Sequence, residues 1–521
     1  MSGYQQVSAA SLPARGIGVV KEGLSRAASF ITVLTLLVLG TTYVLSRDSV
    51  ADPDIWWHLH NAQYLFQQHH LPNKDAYSFT VPGHAWMNHE WLGEIPYYLG
   101  WRAFGLAGIQ ATELLVLSGI FLGLLYLCYQ ETGNYKAATG ACCFSVFLAS
   151  VSFGPRTILF GYFYLTILLI ILQRYRLRQR APLWAIPLLF CAWINTHGSW
   201  SLGIIVLTAS IAAGFVEGKW GSIEAHSWTT AQRRSLVLTW IASCAALFVN
   251  PYGFKLVIYP LDMAFRQTLN ISHVAEWVSV NFHDTRGKVV LVLLISLLVS
   301  ALWRRTRWTL AEVALVLFAL YSGLTYIRFL VLLGIVVAPI LARVLSFLPE
   351  YRRELDTPML NAAVIVLAVA AAVHYWPTSE QLGRSVASRY PVAAMTYMKD
   401  HAPAAPMLNF YLWGGYIPWV DSRTKVFLDS RVDIFEYEGV LKDYLDATEL
   451  KNPEAILDKY RVQSVLFPPG EALTYVLEHD PGWRATYRDP VCVLLERNPP
   501  GVSEHAMTAI NQRAAKAIPR L

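Results

Sequence analysis

Eleven apolar segments, each long enough to cross or nearly cross a hydrocarbon core, constrain this chain more than any other feature. They run over 28–46, 107–129, 137–152, 157–173, 182–197, 200–216, 234–249, 288–303, 309–324, 327–346 and 358–375. Only 15% of the 521 residues are charged, against roughly 25% in a soluble globular domain. The sequence therefore reads as a polytopic α-helical membrane protein with about 11 transmembrane helices and a soluble C-terminal segment. The first segment has the length of an anchor and only a weak cleavage site after it, Ser49-Val50-Ala51. The net charge of +6 does not point to nucleic acid, because the basic residues sit between apolar segments and not on one face. Five of the six cysteines lie within the apolar segments without metal-ligand spacing and read as small hydrophobes.

Lys and Arg orient the chain. One alternating set of loops holds Arg174, Arg176, Arg178 and Arg180, the pairs Arg233–Arg234 and Arg352–Arg353, and Arg304, Arg305, Arg307 and Arg343. By the positive-inside rule this set is cytoplasmic. The domain reading follows: a cytoplasmic N-terminal segment over 1–27, a transmembrane domain over 28–376 with a long first outer loop at 47–106, an extracytoplasmic α/β domain over 377–500 and a tail over 501–521.

The unusual polar motifs all fall on the other side. They are Asp52-Pro53-Asp54-Ile55-Trp56-Trp57-His58, His89-Glu90-Trp91, Gly154-Pro155-Arg156, Asn195-Thr196-His197-Gly198, Asn250-Pro251-Tyr252-Gly253, Glu276-Trp277 and Arg328-Phe329. A transporter needs polar groups near mid-membrane within reach of both sides. A one-sided distribution instead fits a site that works on the outer face. In the first outer loop, Leu59 to His70 and Trp91 to Phe104 read as amphipathic helices suited to lying flat at the interface, with aromatic rings at headgroup depth. The soluble segment alternates helix and strand patterns, with strands expected at 406–410, 425–428, 462–467, 483–487 and 491–496. This predicts a small α/β domain with a mostly parallel sheet.

The order of these motifs, together with Asn409-Phe410-Tyr411-Leu412-Trp413-Gly414-Gly415-Tyr416 and Lys425-Val426-Phe427-Leu428-Asp429-Ser430-Arg431, resembles a group of bacterial membrane proteins related to the GT-C glycosyltransferases. That superfamily includes protein O-mannosyltransferases, oligosaccharyltransferases and the aminoarabinose transferases of lipid A. The resemblance covers about 50 to 497. It implies a GT-C-like fold, an acidic catalytic or metal-binding group in the first outer loop, a polyprenyl-phosphate-linked sugar as donor and a glycan, lipid or protein as acceptor. It places the protein in the bacterial cytoplasmic (inner) membrane, among membrane lipids, with the C-terminal domain outside.

Such a transfer needs a base for the acceptor, positive charge or donors for the departing phosphate, and a groove for the prenyl chain. Asp54 is the candidate base, raised by partial burial beside the two indoles. Asp52 either orients it or shares a divalent cation (Mg or Mn) with it; the competing reading is that both cap the helix starting near Ile55. His58, one turn on, pairs with Asp54 or contacts phosphate. His89 and Glu90 meet sugar hydroxyls or a metal, or tie the loop to a span. Glu94 reads as an exposed charge. Arg156 and Arg328 are candidate phosphate clamps, with snorkelling as the alternative. Asn195 and His197 are costly within an apolar hairpin without partners. Glu276 and Trp277 look like a sugar-facing pair or an interfacial anchor. Asp429-Ser430-Arg431 reads as a turn held by an Asp–Arg pair. Two further functions compete: a non-catalytic membrane assembly protein, and a lipid or polysaccharide transporter.

Overall fold

The computed structural model describes residues 27–47, 50, 52–273, 277–303 and 307–499. Glu276, Arg304, Arg305 and the 501–521 tail lie outside the described residues.

Every one of the eleven apolar segments contains a helix: α1 (Phe30–Ser46), α4 (Leu106–Thr132), α5 (Tyr135–Ala149), α6 (Ile158–Arg176), α7 (Ala185–Ile194), α8 (Trp200–Ala213), α9 (Thr230–Ala246), α12 (Thr285–Trp303), α13 (Leu310–Thr325), α14 (Leu330–Val344) and α15 (Pro358–His374). The first outer loop supplies α2 (Asp54–Gln68) and α3 (Trp91–Phe104). The stretch after α9 supplies α10 (Phe254–Arg266) and α11 (Thr268–His273). Among the described residues, four helices are long and apolar enough to cross a membrane alone, and a pair bent by 54° after residue 358 makes a fifth. The shorter apolar helices have 10–17 residues, about 15–26 Å at 1.5 Å per residue. These helices expose apolar side chains, Met359 at 89% and Leu115 at 73% among them, and lipid is the solvent that suits such faces.

Helix α14 is the axis of the bundle, with nearly every side chain from Leu330 to Ala342 buried. Gly334 lets α5 approach closely, and the Ser145 hydroxyl donates to the Gly334 carbonyl at 2.9 Å. Three helices each run between two polar regions. The α6 helix starts beside Arg156 and ends at Arg176, α13 starts at Glu312 and leads to Tyr326, and α14 follows Arg328 and ends at Arg343. At the Arg343 end, Glu131 of α4 accepts from Arg176 at 2.6 Å and from Arg343 at 3.0 Å, while Arg343 also meets Glu312 at 3.0 Å. Near this end lies a small sheet that the sequence reading did not include, β1 (Gly218–Trp220), β2 (Ile223–Ala225) and β3 (Trp308–Thr309).

The C-terminal segment carries α16 (Ser379–Ala387), α17 (Val392–Asp400), α18 (Tyr416–Val420), α19 (Val432–Tyr437), α20 (Val440–Thr448), α21 (Pro453–Lys459) and α22 (Ala472–His479) around strands β4 (Met407–Asn409), β5 (Ser464–Phe467), β6 (Trp483–Arg488) and β7 (Val493–Arg497). The sheet order is β4-β5-β7-β6. Only β4 and β5 are parallel; β7 pairs antiparallel with both β5 and β6. The expected mostly parallel sheet is therefore corrected to a mixed one, because the short return from β6 to β7 permits a hairpin. The strand expected at 425–428 is replaced by an irregular segment bridged to the first outer loop at Ser78 and Val426.

That bridge belongs to a shared core. Ile55, Trp56, Leu59 and Tyr97 of the loop pack with Tyr390, Trp413, Tyr416 and Ile417 of the C-terminal segment. A second cluster joins Trp57 and Trp86 to Phe427, Leu428 and Val432. Helix α2 starts at Asp54, ahead of the expected Leu59, and so carries Trp56 and Trp57 into this core. Its first two turns are buried on every side, with Trp56 edge-on to Tyr390 at 5.4 Å and to Tyr416 at 5.0 Å.

Candidate functional site

Helix α2 begins where the sequence places its densest polar motif. Pro53 sits at φ −66°, and one Asp52 oxygen accepts from the Asp54 backbone N–H at 3.0 Å. The N-cap residue is Pro53, without a side-chain cap bond, so neither aspartate is the N-cap; Asp52 braces the turn before it. Its other oxygen is ion-paired with the Arg156 guanidinium, which comes from the turn before α6. Asp54 is half-buried and accepts from the Trp57 indole Nε1 at 3.3 Å. That same Nε1 donates at 3.0 Å to the hydroxyl of Ser430 in the C-terminal segment.

One turn along α2, His58 lies 2% exposed between two glutamates. Its Nε2 is 3.4 Å from Glu90 and its Nδ1 is 3.2 Å from Glu94. Glu94 is not the exposed charge the sequence suggests. It is 1% exposed and also accepts from Asn61 at 3.1 Å and Asn88 at 2.8 Å. Three donors, two from α2 and one from a loop, hold a carboxylate there at tolerable cost. Glu90 is a hub for three imidazoles: His58, His89 at 3.5 Å and His197 at 3.2 Å. The Ser199 backbone N–H donates to Nδ1 of His197 at 2.9 Å. The proton of His197 therefore sits on Nε2, facing Glu90, and the ring is neutral.

These groups surround a cavity of about 840 Å³ between the membrane helices and the C-terminal segment. Asp54, His58, His89, Glu90, Arg156 and His197 line it, as do Trp277 and Arg328. The Arg328 guanidinium lies over the Trp277 ring at 4.6 Å. Asp52 stands behind Arg156. Asn195 is the predicted residue that the fold keeps out. It is buried, donates to the Cys191 and Val249 carbonyls at 2.8 Å each and accepts from Trp91 at 3.0 Å, which spends its side chain on joining α7 to its neighbours. Glu276 is outside the described residues. The cavity also takes Tyr259, Ser430, Arg431 and Asp433, which the sequence reading did not assign to a site. The only signal for the last three was the density of polar residues after Leu428.

Burial, then the charge of Asp52, pushes the Asp54 carboxyl up to about 6, against the opposing pull of His58, Ser430 and Arg156. For His58, burial alone would lower the imidazole, but the hydrogen bond to Glu94 and the charge of Glu90 raise it above its ordinary value. His89 is raised in the same way by Glu90 against its burial. Burial would raise Glu90, yet the neighbouring imidazoles, His89 foremost, hold it well below the usual carboxylate range.

Asp52 and Asp54 do not fit a divalent cation. The Asp52 carboxylate is committed to a guanidinium and a backbone N–H. Among the described residues, no group of three or more His, Cys, Asp or Glu side chains is placed to hold a metal ion.

No family model matches the chain. No curated protein matches it either. Among solved structures, the fold is similar to that of the Archaeoglobus fulgidus oligosaccharyltransferase tethered to an acceptor peptide containing the NVT sequon, with TM-score 0.51 and 13% identity over 91% of this chain and 75% of that one. The apo form of the same enzyme aligns at TM-score 0.49 and 12% identity over 91% of this chain and 75% of that one. ArnT from Cupriavidus metallidurans, bound to undecaprenyl phosphate, aligns at TM-score 0.44 and 12% identity over 93% of this chain and 98% of that one. The first similarity is one of fold, and the apolar helices make this chain a multi-pass membrane protein.

Proposed function

We propose that the protein is a GT-C-type glycosyltransferase that moves a sugar from a polyprenyl-phosphate donor to an acceptor on the outer face of the cytoplasmic membrane. The observation that carries this reading is the half-buried Asp54 carboxylate on the wall of a cavity shared with Arg156, Arg328 and three imidazoles. A carboxyl raised to about 6 is ionised at neutral pH yet basic enough to accept a proton.

In the proposed reaction, Asp54 takes the proton from an acceptor O–H or N–H. The freed electron pair forms the bond to the anomeric carbon, whose bond to the phosphate oxygen breaks on the opposite face. Configuration inverts, and the leaving pair stays on the lipid phosphate. Arg156 and Arg328 are the groups suited to that growing charge, since a guanidinium stays charged and offers planar donors. His89, its imidazole raised by Glu90 against its burial, is a further donor on the wall. The apolar part of the wall, with Ile158, Leu202, Pro260, Met263 and Phe329, suits the first isoprene units. This reaction needs no metal, and none is assigned to it.

The test is a deletion strain complemented with the wild-type gene or with Asp54→Asn, its envelope lipids and glycans compared by mass spectrometry. Loss of a glycan and build-up of a lipid-linked sugar at normal protein level supports catalysis. An unchanged profile supports the assembly-protein reading instead.

A further inference from the structure

The far end of the bundle holds a second pocket, of about 140 Å³, with walls from α4, α6, α8, α9, α13 and α14. The walls are largely apolar, with Leu127, Leu172, Ile211, Leu236, Leu315 and Ile335 among them. Apolar cavities of about 150 Å³ take hydrocarbon guests such as benzene.

Two polar atoms of this wall have no partner among the described residues. Gln173 is 9% exposed, and its amide nitrogen donates to the Leu127 carbonyl at 3.3 Å and to Glu131 at 3.0 Å, while its Oε1 is buried with no donor. The Trp228 indole Nε1 is buried with no acceptor, and the ring lies 5.7 Å from that of Tyr175, also in the wall. A buried polar group left unmatched is costly. A ligand carrying both a hydroxyl and a carbonyl matches this pair.

The charges around the pocket do not cancel. Arg176 and Arg343 are balanced by Glu131 and Glu312. Arg174, Arg178 and Arg180, at and after the end of α6, and Arg233 and Arg234, at the start of α9, make no ion pair among the described residues. Arg174 lies between two residues of the wall, Gln173 and Tyr175, and Arg233 stands one turn before Leu236 on α9. Each has a buried Nε without a partner, and the Arg233 guanidinium lies over the Phe215 ring at 5.1 Å. This end is about 28 Å from the candidate site along α6, close to the depth of a hydrocarbon core. It therefore meets the headgroups of the opposite leaflet.

We propose that this pocket binds one anionic phospholipid of that leaflet, of the class with a glycerol headgroup. An acyl chain lies against the apolar wall and an ester carbonyl accepts from Trp228. A headgroup hydroxyl donates to Gln173, and the phosphate meets Arg174 and Arg233. Basic pockets between membrane helices take anionic headgroups on the same grounds. The inference does not depend on the transferase reading, because none of these residues lines the larger cavity.

The experiment titrates the full-length protein in detergent micelles with phosphatidylglycerol and with phosphatidylcholine of the same chains, and counts retained lipid by native mass spectrometry. One phosphatidylglycerol per chain is expected, held about tenfold more tightly than phosphatidylcholine. Arg174→Gln and Arg233→Gln are each expected to weaken it about fivefold. Neither change strips a carboxylate of its partner, so both variants are expected to fold. Ser210→Phe puts a ring into the pocket from α8 and is expected to abolish retention. If that variant does not fold, a phosphatidylglycerol with a diazirine near the end of one chain replaces it, with cross-links to the wild type expected at Leu172, Ile211 or Leu236. Equal retention of the two lipids overturns the proposal, and so does binding that survives both arginine changes. Full binding by folded Ser210→Phe, or cross-links that avoid the pocket wall, overturns it as well.

Discussion

Helices α6, α13 and α14 carry charged residues at both ends, and the two ends differ in what is left over. At one end, Arg176 and Arg343 face Glu131 and Glu312, strong acids and bases in equal number. Each of the four has an opposite charge within 3.4 Å, and the pocket beside them measures about 140 Å³. At the other end, about 28 Å away along the 19 residues of α6, the carboxylates are matched largely by imidazoles and open on about 840 Å³. There the Arg156 guanidinium faces the Asp52 carboxylate. Burial of charge is common to both ends and so does not by itself mark function. What separates them is protons that can move near neutral pH and room for a substrate.

The comparison breaks first at Asp54. Asp54→Asn is expected to lower transfer by about 10²–10⁴-fold, measured as glycan formed per folded protein in the complemented strain. The same change carries a sign on stability. The folded-state carboxyl holds its proton up to about 6 while the unfolded one releases it near 3.8. Wild-type stability therefore falls as pH rises through that window. Asp54→Asn removes the fall, so the variant is expected to melt higher than wild type above pH 6 and not below pH 4. A lower melting point at pH 8 would contradict the assigned burial.

At the opposite end, Glu131→Gln leaves Arg343 and Arg176 short of a partner and is expected to cost about 3–5 kcal/mol. The loss is read from chemical denaturation in micelles, with activity per folded molecule retained. A loss of activity without loss of stability would erase the distinction between the ends. Glu90→Gln sharpens the contrast, because Glu90 keeps His89 raised and, after Glu94, helps keep His58 raised. The alkaline limb of the pH profile is expected to move to lower pH, with a loss of about 10–100-fold at pH 7.5. The smallest effect is expected from a chelator: dialysis against EDTA leaves transfer unchanged, and restoration by added Mg or Mn would return a cation to the aspartates.

Much of this end was visible in the sequence because apolar surroundings make polar residues conspicuous. Asp54, His58, Glu90, Arg156, His197 and Arg328 stand out against their neighbours, and the alternation of basic loops puts them on one side. The helices were legible for the same reason, through runs of apolar residues. What escaped depends on partners far along the chain. Glu94 reads as a surface charge until Asn61, 33 residues earlier, and Asn88 are folded against it. Asn195 looks like a site residue because its amide is polar, but its partners are backbone carbonyls that no side-chain pattern reveals. The strand expected at 425–428 has the right composition, and its pairing goes to a loop instead of a sheet. Ser430 was read as part of a turn, which it is; its hydrogen bond to the Trp57 indole joins positions 373 residues apart.

That separation has a consequence for biogenesis. Trp56 and Trp57 leave the ribosome long before the residues that cover them. At elongation rates of about 5–20 residues per second, some 20–75 s pass before Ser430 exists. During that interval the start of α2 has no core to enter, and its indoles are free to rest on the bilayer surface. The working pocket is thus among the last parts of the molecule to form, and a nascent chain cut short before residue 413 has every membrane segment and no finished centre.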